Sequence, residues 1–232
     1  MNRKRIRVWD LPTRLFHWSM VVVVTGAIVT GLNGGNMMIH HQRLGVILVG
    51  LIAFRLAWGF LGSHTARFSS FVRGPGAIAA YLRGQWRGIG HNPVGALSVL
   101  ALLAVFGFQA VSGLFTNDDI AFEGPLRDLV DKATSDWITG IHGSMLWWLA
   151  ALVALHVGAV LFYLHAKKEN LVRPMLTGWK EVDEPVHEPA GKGGLAAFVV
   201  ALAIGVAAAW VAAGGLLPPP PPPPDPATLP AW

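Results

Sequence analysis

The stretch that decides the fold runs from residue 141 to residue 165 and reads IHGSMLWWLAALVALHVGAVLFYLH. It carries no Lys, Arg, Asp or Glu, and about 20 consecutive apolar residues are enough for a helix to cross the hydrocarbon of a bilayer. His142 and His156 lie fourteen residues apart within it. On a helix this spacing puts both rings on roughly one face, about 40° apart in azimuth and about 21 Å apart along the axis. The stretch therefore predicts a membrane helix with one histidine in each leaflet.

Composition extends this prediction to the whole chain. Hydrophobic residues make up 53% of the 232 residues and charged residues only 13%, about half the charged share of an ordinary globular protein. Apolar runs predict five spans, at about residues 15–34, 41–62, 94–116, 141–165 and 194–217. The predicted fold class is an all-α integral membrane protein, a four-helix transmembrane bundle plus a fifth C-terminal helix. The sequence contains no cysteine, which excludes disulfides, iron–sulfur clusters and covalently attached c-type haem.

The ends and connections complete the predicted organisation. The basic N-terminus resembles the start of a signal peptide, but no small-residue cleavage site closes the run after Leu15, so we expect a retained first helix. Between spans two and three, residues 76–82 suit a short interfacial helix. The predicted parts are a four-helix domain at 1–180, a cytoplasmic linker at 181–193, the fifth helix at 194–217 and an external proline-rich tail at 218–232. The seven prolines from Pro218 to Pro224 predict a polyproline helix, either a spacer or a docking motif.

Charges in the connections predict the orientation. Positive residues concentrate at the N-terminus, between spans two and three and after span four: Arg3, Lys4, Arg5, Arg7, Arg14, Arg67, Arg73, Arg83, Arg87, Lys167, Lys168, Arg173, Lys180 and Lys192. The connection between spans three and four is acidic instead, with Asp118, Asp119, Glu123, Asp128, Asp131 and Asp136. The positive-inside rule then places the N-terminus in the cytoplasm and both the acidic connection and the C-terminus outside. The net charge of +5 thus reflects membrane topology, with no nucleic-acid partner, and we expect a multi-pass protein of the bacterial inner membrane.

Histidine positions carry the functional prediction. A polar ring inside hydrocarbon is costly, so an intramembrane histidine indicates function. The topology puts His17 at the cytoplasmic level of His156, and His40 or His41 at the external level of His142. Two such pairs, each joining two helices, can hold two six-coordinate b-type haems stacked across the membrane. A proton relay in a transporter is the alternative that spacing leaves open. The remaining histidines are expected to be solvated in or beside cytoplasmic connections: His64, His91, His165 and His187.

Two more positions fit this geometry. Gly31 lies fourteen residues after His17 and would give clearance where the external porphyrin lies, although glycines are frequent in membrane helices anyway. Arg55 lies fourteen residues after His41, which puts a charge on the ligand face near the cytoplasmic haem. Haem propionates would neutralise that charge. The alternative is an arginine that snorkels to the lipid headgroups.

Short motifs are spread along residues 7–180: Arg14-Leu15-Phe16-His17-Trp18, His41-Gln42-Arg43-Leu44-Gly45, Phe54-Arg55-Leu56-Ala57-Trp58-Gly59, Ala66-Arg67-Phe68, Gly90-His91-Asn92-Pro93, Ile141-His142-Gly143, Ala154-Leu155-His156-Val157-Gly158 and Glu169-Asn170-Leu171-Val172-Arg173. Together they resemble the bacterial cytochrome b561 family, which includes the b-type cytochrome subunits of nickel–iron hydrogenases. The resemblance implies a four-helix core, quinone coupled to a redox partner, and two b haems held by His17, His41, His142 and His156. Residues 193–232 have no counterpart in the four-helix core of that family.

These observations predict electron transfer across the membrane between the quinone pool and an external redox partner, a c-type cytochrome or a hydrogenase-like enzyme. Arg14, Arg55 and Arg67 are candidates for binding haem propionates or a quinone headgroup. The acidic connection is either a landing surface for a basic partner or the ordinary depletion of positive charge outside. Two other functions stay open. One is a superoxide- or small-molecule-linked quinone reductase without a protein partner, and the other is a haem-free membrane anchor or proton-coupled transporter.

Overall fold

The computed structural model describes residues 3–86, 88, 90–183, 191 and 193–218. This part forms two strands and eight α-helices: β1 Arg3–Arg7, α1 Leu11–Asn33, α2 Met38–Leu61, α3 Phe68–Phe71, α4 Pro75–Leu82, α5 Pro93–Gly113, α6 Lys132–His165, α7 Val172–Thr177, β2 Trp179–Asp183 and α8 Leu195–Ala212. The five long helices α1, α2, α5, α6 and α8 are apolar enough to cross a membrane. The predicted fold class is confirmed, and helix α4 covers residues 76–82, where the sequence predicted a short helix.

Three of the long helices begin at residues that suit a helix start. Asp10 accepts a hydrogen bond from the Thr13 amide at 2.7 Å and begins α1, and Asn92 accepts one from the Gly95 amide at 2.7 Å and begins α5. Asp131 does the same for α6 with the amide of Thr134, at 2.9 Å. A side-chain oxygen at this position satisfies an amide that has no partner within the helix. The Asp131 cap explains why α6 begins before the predicted residue 141, since its first turns are polar.

Helix α2 lies at the centre of the bundle and packs against α1, α5 and α8. Its contact with α8 is close. A Cβ built on Gly50 would lie 3.0 Å from the carbonyl oxygen of Gly205, and a Cβ on Gly205 would lie 2.8 Å from that of Gly50. Small residues let membrane helices approach in this way. Helix α6 packs mainly on α5, and α1 and α6 have no extensive direct contact among the described residues.

One end of the bundle, which we call the ribbon end, carries the antiparallel pair β1–β2. Its register runs from Arg3 opposite Asp183 to Arg7 opposite Trp179. Ile6 is fully buried there and packs with its neighbours against α7. The all-α prediction did not include this ribbon, because a five-residue strand outside the membrane leaves little trace beside the long apolar runs. Strand β2 crosses the predicted boundary at residue 180. Residues 184–190 and 192 of the linker, and 219–232 of the proline tail, lie outside the described part.

The opposite end, which we call the loop end, carries the acidic connection at residues 114–131. Asp118 accepts hydrogen bonds from the amides of Phe122, Ala121 and Ile120 at 2.8, 2.9 and 3.0 Å. These bonds, the one from Phe122 foremost, lower the pKa of Asp118. Asn117 donates to Ser135 Oγ at 2.6 Å and so ties the connection to the first turn of α6. These hydrogen bonds fix the conformation of the acidic connection at the end of the bundle.

Candidate cofactor-binding sites

His41 of α2 and His142 of α6 face each other near the loop end. Their ring centroids lie 6.0 Å apart, with the ring planes nearly perpendicular at 85°. His41 Nδ1 lies 2.8 Å from the carbonyl oxygen of Ala27. Because a carbonyl only accepts, Nδ1 carries the proton and Nε2 keeps its lone pair. His40, the alternative that the sequence left open, is exposed.

The His142 ring is held in the same way by α5. Its Nδ1 lies 3.0 Å from Ser112 Oγ, and the Ser112 hydroxyl donates to the carbonyl of Gln109 at 3.1 Å. Ser112 therefore accepts from His142, and Nε2 of His142 keeps its lone pair. The Gln109 amide nitrogen donates to that Nε2 at 3.3 Å and to the His142 carbonyl at 3.0 Å. A second ring nitrogen bound to a fixed acceptor is the usual support of a histidine that ligates a metal.

Two glycines lie against these rings. A Cβ on Gly31 would lie 2.9 Å from both Nδ1 and Cε1 of His41, and a Cβ on Gly113 would lie 2.9 Å from Cε1 of His142. Any larger residue would push the rings. The sequence predicted Gly31 as clearance for a porphyrin. In the structure, the space where its side chain would lie is filled by the ring of His41.

A cavity of about 380 Å³ lies beside this pair, between α1, α2, α5 and α6. His41 and His142 both line it. Its wall is mostly apolar and includes Ile28, Leu48, Phe106, Leu146 and Leu149. Residues of the acidic connection, among them Asn117, Glu123 and Pro125, line its mouth. The loop end thus offers a mostly apolar cavity, open on one side, with two imidazoles in its wall.

His17 of α1 and His156 of α6 form the second pair, near the ribbon end. Their ring centroids lie 6.4 Å apart at an interplanar angle of 48°. The edge of Trp18 packs on His17 with a centroid distance of 5.1 Å. His17 Nδ1 is buried and has no hydrogen-bond partner among the described residues. The two pairs are the ones that the predicted topology brought to common levels.

Arg55 lies at the same end of the bundle, where its charge acts on His91 as that of His156 does, and it is buried, with 2% of its surface exposed. Its guanidinium lies 5.0 Å from the ring of Phe68, and Nη1 has no hydrogen-bond partner among the described residues. The carboxylate of Asp10 is occupied by other donors, Trp58 Nε1 at 3.0 Å and Ser63 Oγ at 2.5 Å. A buried charge is costly; the nearby Asp10 carboxylate offsets part of that cost, and the burial disfavours the snorkelling alternative. An anion bound at the guanidinium of Arg55 would lower the cost of burying its charge.

The other two predicted arginines are placed differently. Arg14 lies one turn before His17 on α1, and its Nη1 donates to the carbonyl of Leu176, while its Nε is buried with no hydrogen-bond partner in the described part of the chain. Arg67 Nε donates to the carbonyl of Gly62 at 2.8 Å, which closes the end of α2. Arg14 therefore lies near the His17 pair, whereas Arg67 stabilises the backbone at the end of α2.

His91 was expected to be solvated, and this expectation is wrong. Its ring packs between Trp9 and Phe71, with both centroid distances at 4.6 Å, and its Nδ1 is buried without a described partner. Burial foremost, and then the positive charges of Arg55 and His156, lower the pKa of His91 to about 3. The signal was present in the sequence, since Asn92-Pro93 starts α5 and fixes His91 immediately before it. His64 and His165 are exposed as expected, and His187 lies outside the described residues.

The family model for prokaryotic cytochrome b561 matches residues 8–178. The chain belongs to this family. It is therefore a b-type cytochrome, a multi-pass membrane protein that binds haem b and transfers electrons. Helix α8 and the tail lie beyond the matched residues, as the resemblance had indicated. Of the five described helices that are apolar enough to cross a membrane, α8 is the one outside the matched residues.

Curated relatives carry hydrogenase names. The chain is 23% identical over 220 residues to the "Probable Ni/Fe-hydrogenase B-type cytochrome subunit" of Azotobacter vinelandii, covering 75% of this chain and 88% of the relative. It is 21% identical over 216 residues to the "Probable Ni/Fe-hydrogenase 1 B-type cytochrome subunit" of Escherichia coli (strain K12), with coverages of 75% and 89%. No solved structure matches the chain.

The residues at both ends suit haem b. Two imidazoles that ligate one metal from opposite sides have ring centroids about 6 Å apart, given a metal–nitrogen bond of about 2 Å. Both pairs have this spacing. Neutral imidazoles are ordinary haem ligands, and the unpaired guanidinium of Arg55 suits a carboxylate such as a propionate.

Proposed function

We propose that this cytochrome holds two b haems and carries electrons across the membrane between the quinone pool and a redox partner on the periplasmic side. The observation that supports the proposal most is the occurrence of two facing histidine pairs at opposite ends of one bundle. His17 and His156 would hold the haem at the ribbon end. His41 and His142 would hold the haem at the loop end.

The protein sets the conditions for this transfer. When bound by two imidazoles, haem supplies one-electron chemistry and has no open position for oxygen. Hydrogen bonds to Ala27 and Ser112 fix the tautomers and orientations of His41 and His142. The wall of the cavity is mostly apolar, which lowers the local dielectric around the two rings. Arg55 would bind a propionate or a quinone headgroup, and Arg14 is the second candidate. Arg67 is the weakest of the three because its Nε is bound to Gly62.

The orientation follows from charge. The ribbon end and the helices near it carry most of the arginines and lysines, whereas the loop end carries the acidic connection. By the positive-inside rule the ribbon end faces the cytoplasm of a bacterium and the loop end faces the periplasm. Helix α8 then brings the C-terminal tail to the periplasmic side.

The partner proposal rests on two observations. The relatives are named as subunits of nickel–iron hydrogenases, which favours a hydrogenase-like enzyme, and the acidic connection at the mouth of the cavity suits a basic protein such as a c-type cytochrome. Co-purification of the tagged full chain from its own membranes would separate the two. If the purified complex contained neither a hydrogenase-like enzyme nor a c-type cytochrome, this part of the proposal would be wrong.

The haem proposal is tested by the visible spectrum. The full chain, expressed with adequate haem supply, is expected to show a reducible b-type spectrum with two haems per chain by pyridine haemochrome assay. One haem per chain would remove the di-haem proposal. A haem-free protein that folds would favour a membrane anchor or transporter instead.

A further inference from the structure

A pocket at the ribbon end takes no part in the proposed electron transfer. It has a volume of about 320 Å³ and lies between strands β1 and β2, helix α7 and the turn after α6. Four cationic side chains line it, together with two carboxylates: Arg5, Lys168, Arg173, Lys180, Glu169 and Glu181. The lining side chains therefore carry a net charge of +2, and they surround a concave pocket instead of lying on a flat surface.

The carboxylates in the lining are already engaged. Glu169 pairs with Lys180 at 2.5 Å, and Glu181 also has a contact partner. Arg5 lies over the ring of Trp179 at 5.2 Å. Lys168 and Arg173 have no carboxylate partner among the described residues. The positive charges of Lys168 and Arg173 are therefore available to bind an anionic ligand.

The position of the pocket indicates what the ligand is. Lys168 follows the end of α6 by three residues, and β1 ends four residues before α1 begins. The headgroup layers add only about 10–15 Å in total to a hydrocarbon core of about 30 Å. Residues this close to the ends of two spans therefore lie at headgroup depth. The exposed indole of Trp179 agrees with this depth, because tryptophans concentrate at membrane interfaces.

We propose that this pocket binds the phosphate of an anionic membrane lipid. Basic pockets beside membrane helices are suited to such headgroups. Arg173 offers a planar fork for two phosphate oxygens, and Lys168 and Arg5 add charge. Lys168 has a φ of 56°, a backbone conformation that non-glycine residues rarely adopt and that is frequent at ligand sites. The inference is independent of the haems and of the redox partner.

Native mass spectrometry of the full chain in detergent provides the test. The probes are phosphatidylglycerol and phosphatidylcholine with the same acyl chains. We expect phosphatidylglycerol to bind more tightly. The double variant Lys168→Gln with Arg173→Gln is expected to lower its affinity about tenfold, since both side chains line the pocket and would bind the phosphate directly.

The matched control is Arg73→Gln with Arg83→Gln, which removes two exposed charges from the α2–α5 connection at the same end. It is expected to change the affinity less than about twofold, because neither side chain lines the pocket. Equal losses of affinity in the two double variants would overturn the proposal in favour of diffuse attraction.

Displacement by inorganic phosphate is the second experiment. If phosphate displaces phosphatidylglycerol at millimolar concentration, the pocket serves a soluble phosphate compound and the lipid assignment is wrong. Should the pocket double variant fail to fold, Lys168→Gln alone is measured in the same way.

Discussion

The two histidine pairs are similar in spacing and opposite in their surroundings. At the loop end, His41 and His142 have their second ring nitrogens bound to Ala27 and Ser112, and Gly31 and Gly113 lie against the rings. At the ribbon end, several buried polar atoms have no partner among the described residues: Thr13 Oγ1, Arg14 Nε, His17 Nδ1, Arg55 Nη1 and His91 Nδ1. The protein itself supplies the acceptors for both loop-end ring nitrogens, although Gln109 Oε1 and Arg127 Nε at that end are also buried without a partner among the described residues. The polar atoms at the ribbon end could instead form hydrogen bonds with a polar ligand.

The difference teaches how one bundle can give two haems unequal environments. A ligand ring held by backbone carbonyls and hydroxyls is oriented before the cofactor binds. A cluster with an unpaired guanidinium is stabilised by the anion that it binds. We therefore expect the loop-end haem to depend on close packing and the ribbon-end haem to depend on charge.

Ligand replacement should have the largest effect. His41→Ala and His142→Ala are each expected to remove the loop-end haem, while His17→Ala and His156→Ala each remove the ribbon-end haem, because a single imidazole does not complete the coordination. Visible spectra and the haem-to-protein ratio measure this. His40→Ala is the control and should keep both haems, since His40 is exposed. Loss of the same haem in the His17 and His142 variants would contradict the pairing.

Packing on the rings should come next. Gly113→Ala places a methyl group 2.9 Å from Cε1 of His142, so the ring must move. Disturbing the support of a metal ligand typically costs about 10- to 100-fold in affinity, and we expect that loss for the loop-end haem alone, measured by haem retention during dilution. Gly143→Ala is the matched control on the ligand helix, because a Cβ there meets nothing within 4 Å. If both variants behave alike, the close packing at Gly113 has no role in haem binding.

Much of this arrangement could be predicted because hydrophobicity and helical geometry act over long stretches. The apolar runs give the spans, and fourteen-residue spacing puts His142 and His156 on one face. The topology alone then brings His17 to His156. The contact between Gly31 and His41 was beyond prediction, because it depends on how far apart α1 and α2 lie. Ser112 and Gln109 were not predicted as supports of His142 for the same reason.

Short elements outside the membrane could not be predicted. Strands β1 and β2 have five residues each and meet only because the chain returns from α6 to the start of α1. That return also places Trp9 against His91. Sequence position put His91 in a polar connection, where histidines are normally solvated, whereas the fold buries it. The ribbon-end residues were thus the hardest to assign, because tertiary packing rather than periodicity places them.

The charge at Arg55 should affect only the ribbon-end haem. Arg55→Met removes a buried cation, so the oxidised haem, which carries more positive charge, becomes relatively more stable and the midpoint potential falls. We expect a fall of about 60 mV, which is a tenfold change in the one-electron equilibrium constant. A redox titration that resolves both haems measures it. Arg43→Gln removes an exposed cation from the same helix and should leave that potential unchanged. A fall of equal size at the loop-end haem would show that Arg55 acts as a distant charge only.

The smallest expected effect concerns His91 and the dependence of stability on pH. Burial lowers the pKa of His91 from 6.5 to about 3, so the native protein keeps the ring neutral while the unfolded chain binds a proton below about pH 6.5. Stability is therefore lost as the pH falls through that value, by about 0.7 kcal/mol between pH 7 and pH 6 for this one group. His91→Phe preserves the packing between Trp9 and Phe71 and should remove that part of the loss, measured as thermal unfolding in detergent at the two pH values. His64→Phe, at an exposed histidine of the same end, should leave the loss unchanged. If His91→Phe also leaves it unchanged, the imidazole of His91 is solvated in the native protein, and the contrast between the two ends rests on Thr13, Arg14, His17 and Arg55.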